Sequence, residues 1–266
     1  QLLVKGEYHI EKWRLQGEIP LIIWSKNNLK KKPAVILHHG YTGSKEQLIG
    51  WALPFAEAGF LIALPDAYHH GECRDPNFEA NNQENFPKEL LINVTTTAEK
   101  DKLVIDFLKK REDVQKENIG IAGGSMGGLI SLAAIVLHEE IRAAVIIAGA
   151  AEWETLIEET YLFDLFGWKK DLKNQIGERE RELLKKYEPI RYLDEYPPTP
   201  ILFFNGAEDK IVPVNCIEKF YEKIKPFYPS EKIKFKKLSG LNHFTLNSYE
   251  YLIPETVDWF KKFCSY

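Results

Sequence analysis

The sequence predicts an open, doubly wound α/β fold with a mostly parallel sheet. Three observations carry this prediction. Short runs apolar at every position recur along the chain, amphipathic helical stretches lie between most of them, and the last strand-like run alternates lysine with large apolar residues. Runs apolar on both faces belong in a parallel sheet covered by helices on both sides.

Taken in order, Ile19 to Trp24 reads as a first strand. The apolar runs follow at 34–37, 60–64, 119–122, 143–147 and 201–204. Leu91, Val94, Ala98, Ile105 and Leu108 repeat at gaps that put them on one face of a helix of 3.6-residue period. Lys232 to Lys236 places lysine at every second position around Ile233 and Phe235, which suits an edge strand. The stretch 151–187 is too long for a single crossover helix. It carries Trp153, Leu156, Ile157, Tyr161, Leu162, Phe163, Leu165, Phe166 and Trp168, then the charged run Glu178 to Lys186. It reads as a helical cap inserted over the carboxyl edge of the sheet, where ligands bind in such folds. The whole chain, 1–266, reads as a single domain, a length within the range of one α/β domain.

Composition narrows the function classes. Hydrophobic residues make up 44% and charged residues 28%, the balance of a folded globular chain. The net charge of −4 leaves no basic surplus for a nucleic-acid partner. No apolar run approaches the roughly 18 residues of a membrane span. Cys73, Cys216 and Cys264 are odd in number and widely spaced, which predicts free thiols, mostly buried, in a reducing compartment. No leader pattern is visible at the start, so a cytoplasmic location is expected.

The chemistry concentrates at strand ends. Gly123-Gly124-Ser125-Met126-Gly127 fits G-x-S-x-G between the apolar strand 119–122 and a helical face of Leu129, Ile130, Ala133, Ala134 and Leu137. So sharp a strand-to-helix turn exposes the serine oxygen, and Gly123 and Gly127 leave room for strand and helix to approach. A serine attacks only with a base held by a carboxylate. Asp209 lies just past strand 201–204 and His243 just past the last strand, so all three groups sit at one edge. Glu208 is a rival for the acid, and Asp66 a weaker one. The backbone N–H groups of Tyr41, in the loop His38-His39-Gly40-Tyr41, and of Met126 are the expected oxyanion donors. Substrate-contact candidates are the Tyr41 ring and Phe163, Phe166 and Trp168. His38, His39, His69 and His70 form adjacent pairs without the spacing of a closed metal set; they are expected to pack beneath the site, and no metal or cofactor is called for.

Together, His38 to Tyr41, Asp66 to Gly71, Gly123 to Gly128, Asn205 to Asp209 and His243 resemble serine α/β-hydrolases, over nearly the whole chain from about residue 15. Within them the chain is similar to bacterial esterases of the dienelactone hydrolase and prolyl oligopeptidase-like branch. Serine stands where dienelactone hydrolases carry cysteine, and the chain has no room for the propeller domain of prolyl oligopeptidases. The resemblance implies an α/β-hydrolase sheet and a carboxylesterase that forms an acyl-enzyme on small-molecule esters. A small peptidase or amidase using the same site is the alternative, and a non-catalytic ligand-binding hydrolase fold a more distant one.

Overall fold

The computed structural model describes residues 2–28, 30–193, 199–247 and 251–264. Among the described residues, nine strands form one sheet: β1 (Leu2–Lys5), β2 (Tyr8–Leu15), β3 (Ile19–Lys26), β4 (Lys32–His38), β5 (Leu61–Pro65), β6 (Val114–Gly124), β7 (Ile141–Ile147), β8 (Ile201–Gly206) and β9 (Ile233–Leu238). Their spatial order is β1-β2-β3-β5-β4-β6-β7-β8-β9. From β5 to β9 every pairing is parallel, whereas β1, β2 and β3 join antiparallel, β3 lying against β5. The lysine-alternating strand β9 is an edge, as its pattern predicts. The β1–β2 hairpin has no counterpart in the sequence pattern: along Tyr8–Leu15 only Glu11 and Leu15 are buried, and the strand carries Glu11, Lys12 and Arg14, so it lacks the apolar signal of the inner strands.

Helices cover both faces. They are α1 (Ile49–Glu57), α2 (Phe78–Lys110), α3 (Met126–Leu137), α4 (Trp153–Glu159), α5 (Leu162–Phe166), α6 (Leu172–Gln175), α7 (Glu178–Tyr187), α8 (Asn215–Ile224), α9 (His243–Asn247) and α10 (Leu252–Cys264). Along β4 the two cores alternate. Ala34 and Ile36 pack with α2 and α3, and Val35 and Leu37 with α1 and α10. That period of two is the geometry of a strand buried on both sides.

Helix α2 bends at Asn85, whose backbone leaves the helical region (φ −150°, ψ 60°), two residues before Pro87. Proline has no N–H to give to the carbonyl four residues back and its ring crowds that carbonyl. The carbonyls so released are taken up by the following insertion. Gln83 O accepts the Lys169 N–H at 3.1 Å, and Glu84 O accepts the Gln175 side-chain amide at 2.7 Å. The stretch 151–187 is therefore four short helices, α4 to α7, tied to the bend of α2. Its start is held by the buried Glu188, whose Oε1 accepts the N–H groups of Trp153 (2.6 Å) and Glu154 (3.0 Å).

All three cysteines are free thiols. Cys216 and Cys264 are buried, and burial pushes each thiol up to about 12. Cys73 differs from the buried-hydrophobe expectation: it is half-buried and donates to the Glu18 carbonyl. Among the described residues no helix is long and apolar enough to cross a membrane.

Phe260 on α10 is fully buried between Phe55 and Phe60, with ring centroids 6.0 and 6.4 Å away. Phe260→Ala should lower unfolding stability by about 3–5 kcal/mol, read as a shift of the denaturation midpoint in urea.

Candidate active site

Strand β6 delivers Ser125 at its carboxyl end, and α3 begins at the next residue. Ser125 takes φ 58° and ψ −123°, a left-handed backbone that a non-glycine residue adopts only under constraint. The constraint is visible. A Cβ at Gly123 would stand 2.3 Å from the carbonyl carbon of Gly127, and one at Gly127 would stand 2.3 Å from the His38 carbonyl oxygen. Only glycine allows strand and helix to come that close. The turn is further fixed by the Ser125 N–H, which donates to Ile147 O on β7 at 2.9 Å.

The three groups expected to converge do so. His243 Nε2 lies 3.0 Å from Ser125 Oγ, and its Nδ1 lies 2.8 Å from Asp209 Oδ2. The carboxylate needs a donor on Nδ1, so Nε2 carries the lone pair that can accept the serine proton. The other oxygen of Asp209 accepts the N–H groups of Ile211 (2.9 Å) and Val212 (2.8 Å), which orients the carboxylate before the imidazole adds its bond. Glu208 is exposed, and it is Asp209 that meets the imidazole. Asp66 is engaged elsewhere: buried, it takes the Lys45 ammonium at 2.6 Å, the Lys45 N–H at 2.9 Å and the Glu72 N–H at 3.0 Å. Burial alone would lower the Lys45 ammonium, but Asp66 and Glu72 outweigh it and hold its pKa above the ordinary lysine value. His243 stands at the first residue of α9 rather than in open loop.

Tyr41 and Met126, the residues expected to supply oxyanion donors, border the same small cavity as Ser125. The Met126 N–H opens α3, where helix amides have no intrahelical acceptor. The Gly40 backbone lies against the serine, its Cβ position 3.6 Å from Ser125 Cβ, and Tyr41 borders the same cleft as Ser125. The Tyr41 ring is held within His70, Phe78, Phe86 and Trp168, and its hydroxyl donates to Asn82 Oδ1. Burial raises its pKa, so the phenol stays neutral.

A cleft of about 570 Å³ opens over Ser125 and His243. Of the three aromatics expected in the insertion to face substrate, only Phe166 borders it. Phe163 is buried against Phe86, and Trp168 is packed between Phe86 and Phe166. The reason is the bend of α2: it brings Phe86 under the insertion, and the rings nearest to it become core. Leu162 and Leu165 border the cleft instead, joined by Leu48, Trp51, Ile211 and Phe244. Ile211 and Phe244 could have been found from sequence, since each sits within two residues of a candidate catalytic group; Leu48 and Trp51 carry no such signal.

His38 and His39 border the cleft rather than lying beneath it, His70 is buried against the Tyr41 ring, and His69 is half-buried and stacks on Tyr68. His38 Nε2 meets Asp101 at 3.0 Å. His39 donates from Nδ1 to Gly40 O (2.8 Å) and accepts the Ala67 N–H at Nε2 (3.0 Å), so it is held neutral, and burial lowers its pKa. His70 donates from Nδ1 to Tyr68 O at 2.9 Å, and burial lowers it to about 4. Among the described residues no group of three or more His, Cys, Asp or Glu side chains is arranged to hold a metal ion.

A mostly parallel sheet with a strained serine at its carboxyl edge, hydrogen-bonded through histidine to aspartate, defines a hydrolase of the α/β class. Residues 96–265 match the prolyl oligopeptidase family, and the chain belongs to that family. It is 28% identical over 249 residues to YitV of Bacillus subtilis (strain 168), covering 91% of this chain and 93% of that one. Esterase YjfP of Escherichia coli (strain K12) is 23% identical over 192 residues, 69% of this chain and 71% of its own. Among solved structures, TT1662 from Thermus thermophilus superposes with a TM-score of 0.76 at 21% identity, over 96% of this chain and 99% of that chain. The esterase Pf2001 of Pyrococcus furiosus does so with a TM-score of 0.67 at 19% identity, over 97% and 93%.

His70 makes stability depend on pH. Its folded pKa lies near 4 and its unfolded value near 6.5, so the unfolded chain binds a proton that the native state refuses between those values. Stability is full above pH 6.5 and falls as the pH drops towards 4, with His39 acting in the same direction. Between pH 7 and pH 5 the His70 contribution should fall by about 2 kcal/mol. His70→Gln should flatten that part of the slope in urea denaturation; an unchanged slope would assign the acid loss to other groups.

Proposed function

We propose that this family member is a carboxylic-ester hydrolase that works through an acyl-enzyme on Ser125. The observation that carries the reading is the unbroken Asp209–His243–Ser125 chain of hydrogen bonds, ending on a half-buried serine at the floor of an open cleft. His243 Nε2 takes the serine proton as Oγ attacks the acyl carbon. The negative oxygen that develops is met by the N–H groups of Tyr41 and Met126, with the positive end of α3 behind them. His243 then returns the proton to the leaving alcohol. A water attacks the acyl-enzyme with His243 again as base, releasing the acid and restoring the serine. Asp209 keeps the imidazole in the required tautomer and stabilises its charged form. No step calls for a cofactor.

The name of the relative YjfP supports ester bonds as the target. The family match favours a second reading, a small peptidase or amidase using the same groups. The substrate is read as a small molecule, not a nucleic acid. We read 1–266 as one domain with 151–187 as a cap, supported by Leu162, Leu165 and Phe166 at the cleft wall. The free thiols fit a cytoplasmic setting.

Ser125→Ala should fold normally, lose labelling by a fluorophosphonate and lose kcat by about 10⁴-fold or more, because the three groups act as a unit. Asp209→Asn should also be strongly impaired by the wrong tautomer, whereas Glu208→Gln should stay near wild type. Parallel rates on 4-nitrophenyl esters and aminoacyl 4-nitroanilides separate the two readings: anilide turnover matching that of the ester would favour the amidase.

A further inference from the structure

We infer that the site divides its substrate between two cavities of very different size, which makes the protein selective for the shortest acyl groups carried on bulky, largely apolar alcohols. The inference rests on the ester-hydrolase reading and adds the substrate class. A second cavity lies beside Ser125, against Met126, Leu129, Leu156 and Val212, with a free volume of only about 20 Å³. On the same measure a single water needs about 10–15 Å³, so the space holds about one methyl group.

Proton transfer decides which half of the ester goes where. His243 must reach the leaving oxygen, so the alcohol lies on the side of the site that His243 lines. His243 borders the 570 Å³ cleft and does not border the small cavity. The acyl group therefore enters the small cavity, which the residue bearing the expected oxyanion amide, Met126, also lines. Leu129, Leu156 and Val212 are almost fully buried, so the walls yield only by disturbing close-packed core. Thr160, a polar side chain at this wall, donates its hydroxyl to Ile211 O at 2.8 Å, and the Tyr41 hydroxyl donates to Asn82, which leaves the cavity apolar in effect beyond Ser125. Tyr41, Leu162 and Ile211 border both cavities and form the partition between them. The larger cleft, faced by Trp51, Leu165, Phe166 and Phe244, suits an apolar alcohol.

The test uses the full chain with 4-nitrophenyl acetate, propionate, butyrate and hexanoate, and with ethyl and 2-phenylethyl acetate, whose alcohols leave comparably. We expect kcat/KM to drop at least about tenfold from acetate to butyrate, since one methylene in a closed pocket is worth about 10–200-fold. We expect 2-phenylethyl acetate to exceed ethyl acetate. Leu162→Ala removes part of the partition from a half-buried position and should raise the butyrate-to-acetate ratio about tenfold. Butyrate and hexanoate turned over as fast as acetate by the wild type would overturn the inference while leaving the ester-hydrolase reading intact. So would a folded Leu162→Ala with an unchanged ratio; should that variant not fold, the wild-type series decides. Fluorophosphonate labelling of Ser125 with no turnover of any ester would instead sink the ester reading, and the inference with it.

Discussion

The sharp turn from β6 into α3 is the constraint on which the rest of the site depends. A left-handed backbone at Ser125 costs on the order of 1–3 kcal/mol and survives only where the surroundings over-determine it. Here they do. Gly123 and Gly127 let the strand and helix meet at distances closed to any side chain, and the His38 carbonyl on β4 lies against Gly127. The same close approach lines up β4, β6 and β7 at their carboxyl ends. That places both the Gly40 backbone and the start of α3 against one serine.

Around that turn, each loop at the edge is held by buried polar groups whose partners are supplied by backbone. Asp209 is oriented by two amides of its own loop, and Asp66 by the Glu72 amide of its own loop together with the amide and ammonium of Lys45 from the loop after β4. Removing one partner from a buried pair such as Lys45–Asp66 costs about 3–5 kcal/mol, because the other charge is left in the interior. Such groups hold loops in one geometry more than they add to stability. They also explain why Asp66, an acid at a strand end, takes no part in the hydrogen-bond chain to Ser125: both its oxygens are engaged by Lys45 and the Glu72 amide.

The insertion follows from a single residue in another element. Pro87 bends α2, the released carbonyls of Gln83 and Glu84 bind the backbone and side chain of the segment 169–175, and Phe86 is driven beneath it. Phe163 and Trp168 then close on Phe86, while Leu162, Leu165 and Phe166 remain at the cleft. One short helix thus has a core side and a cleft side. The number of large apolar residues in the segment is informative about burial, but their assignment to one side or the other depends on where a neighbouring helix bends.

What was legible in the chain by itself were the features with a local physical cause. Runs apolar on both faces declare inner parallel strands, lysine alternation declares an edge, and Gly-x-Ser-x-Gly between a strand and a helix declares the turn. The order of Ser125, Asp209 and His243 past the ends of β6, β8 and β9 was readable for the same reason, since a strand end fixes which edge of the sheet a residue joins. The β1–β2 hairpin was not readable, because an antiparallel pair at the sheet margin carries too little apolar pattern to stand out. The sequence puts Asp209 ahead of the adjacent Glu208 for the acid, but it does not show how that carboxylate is held, which depends on the amides of Ile211 and Val212. The division of space beside Ser125 was decided by tertiary structure alone. It arises where α2, α3, the insertion and the loop after β8 pack together, and a cavity is the volume left between such elements, a quantity that belongs to no single segment.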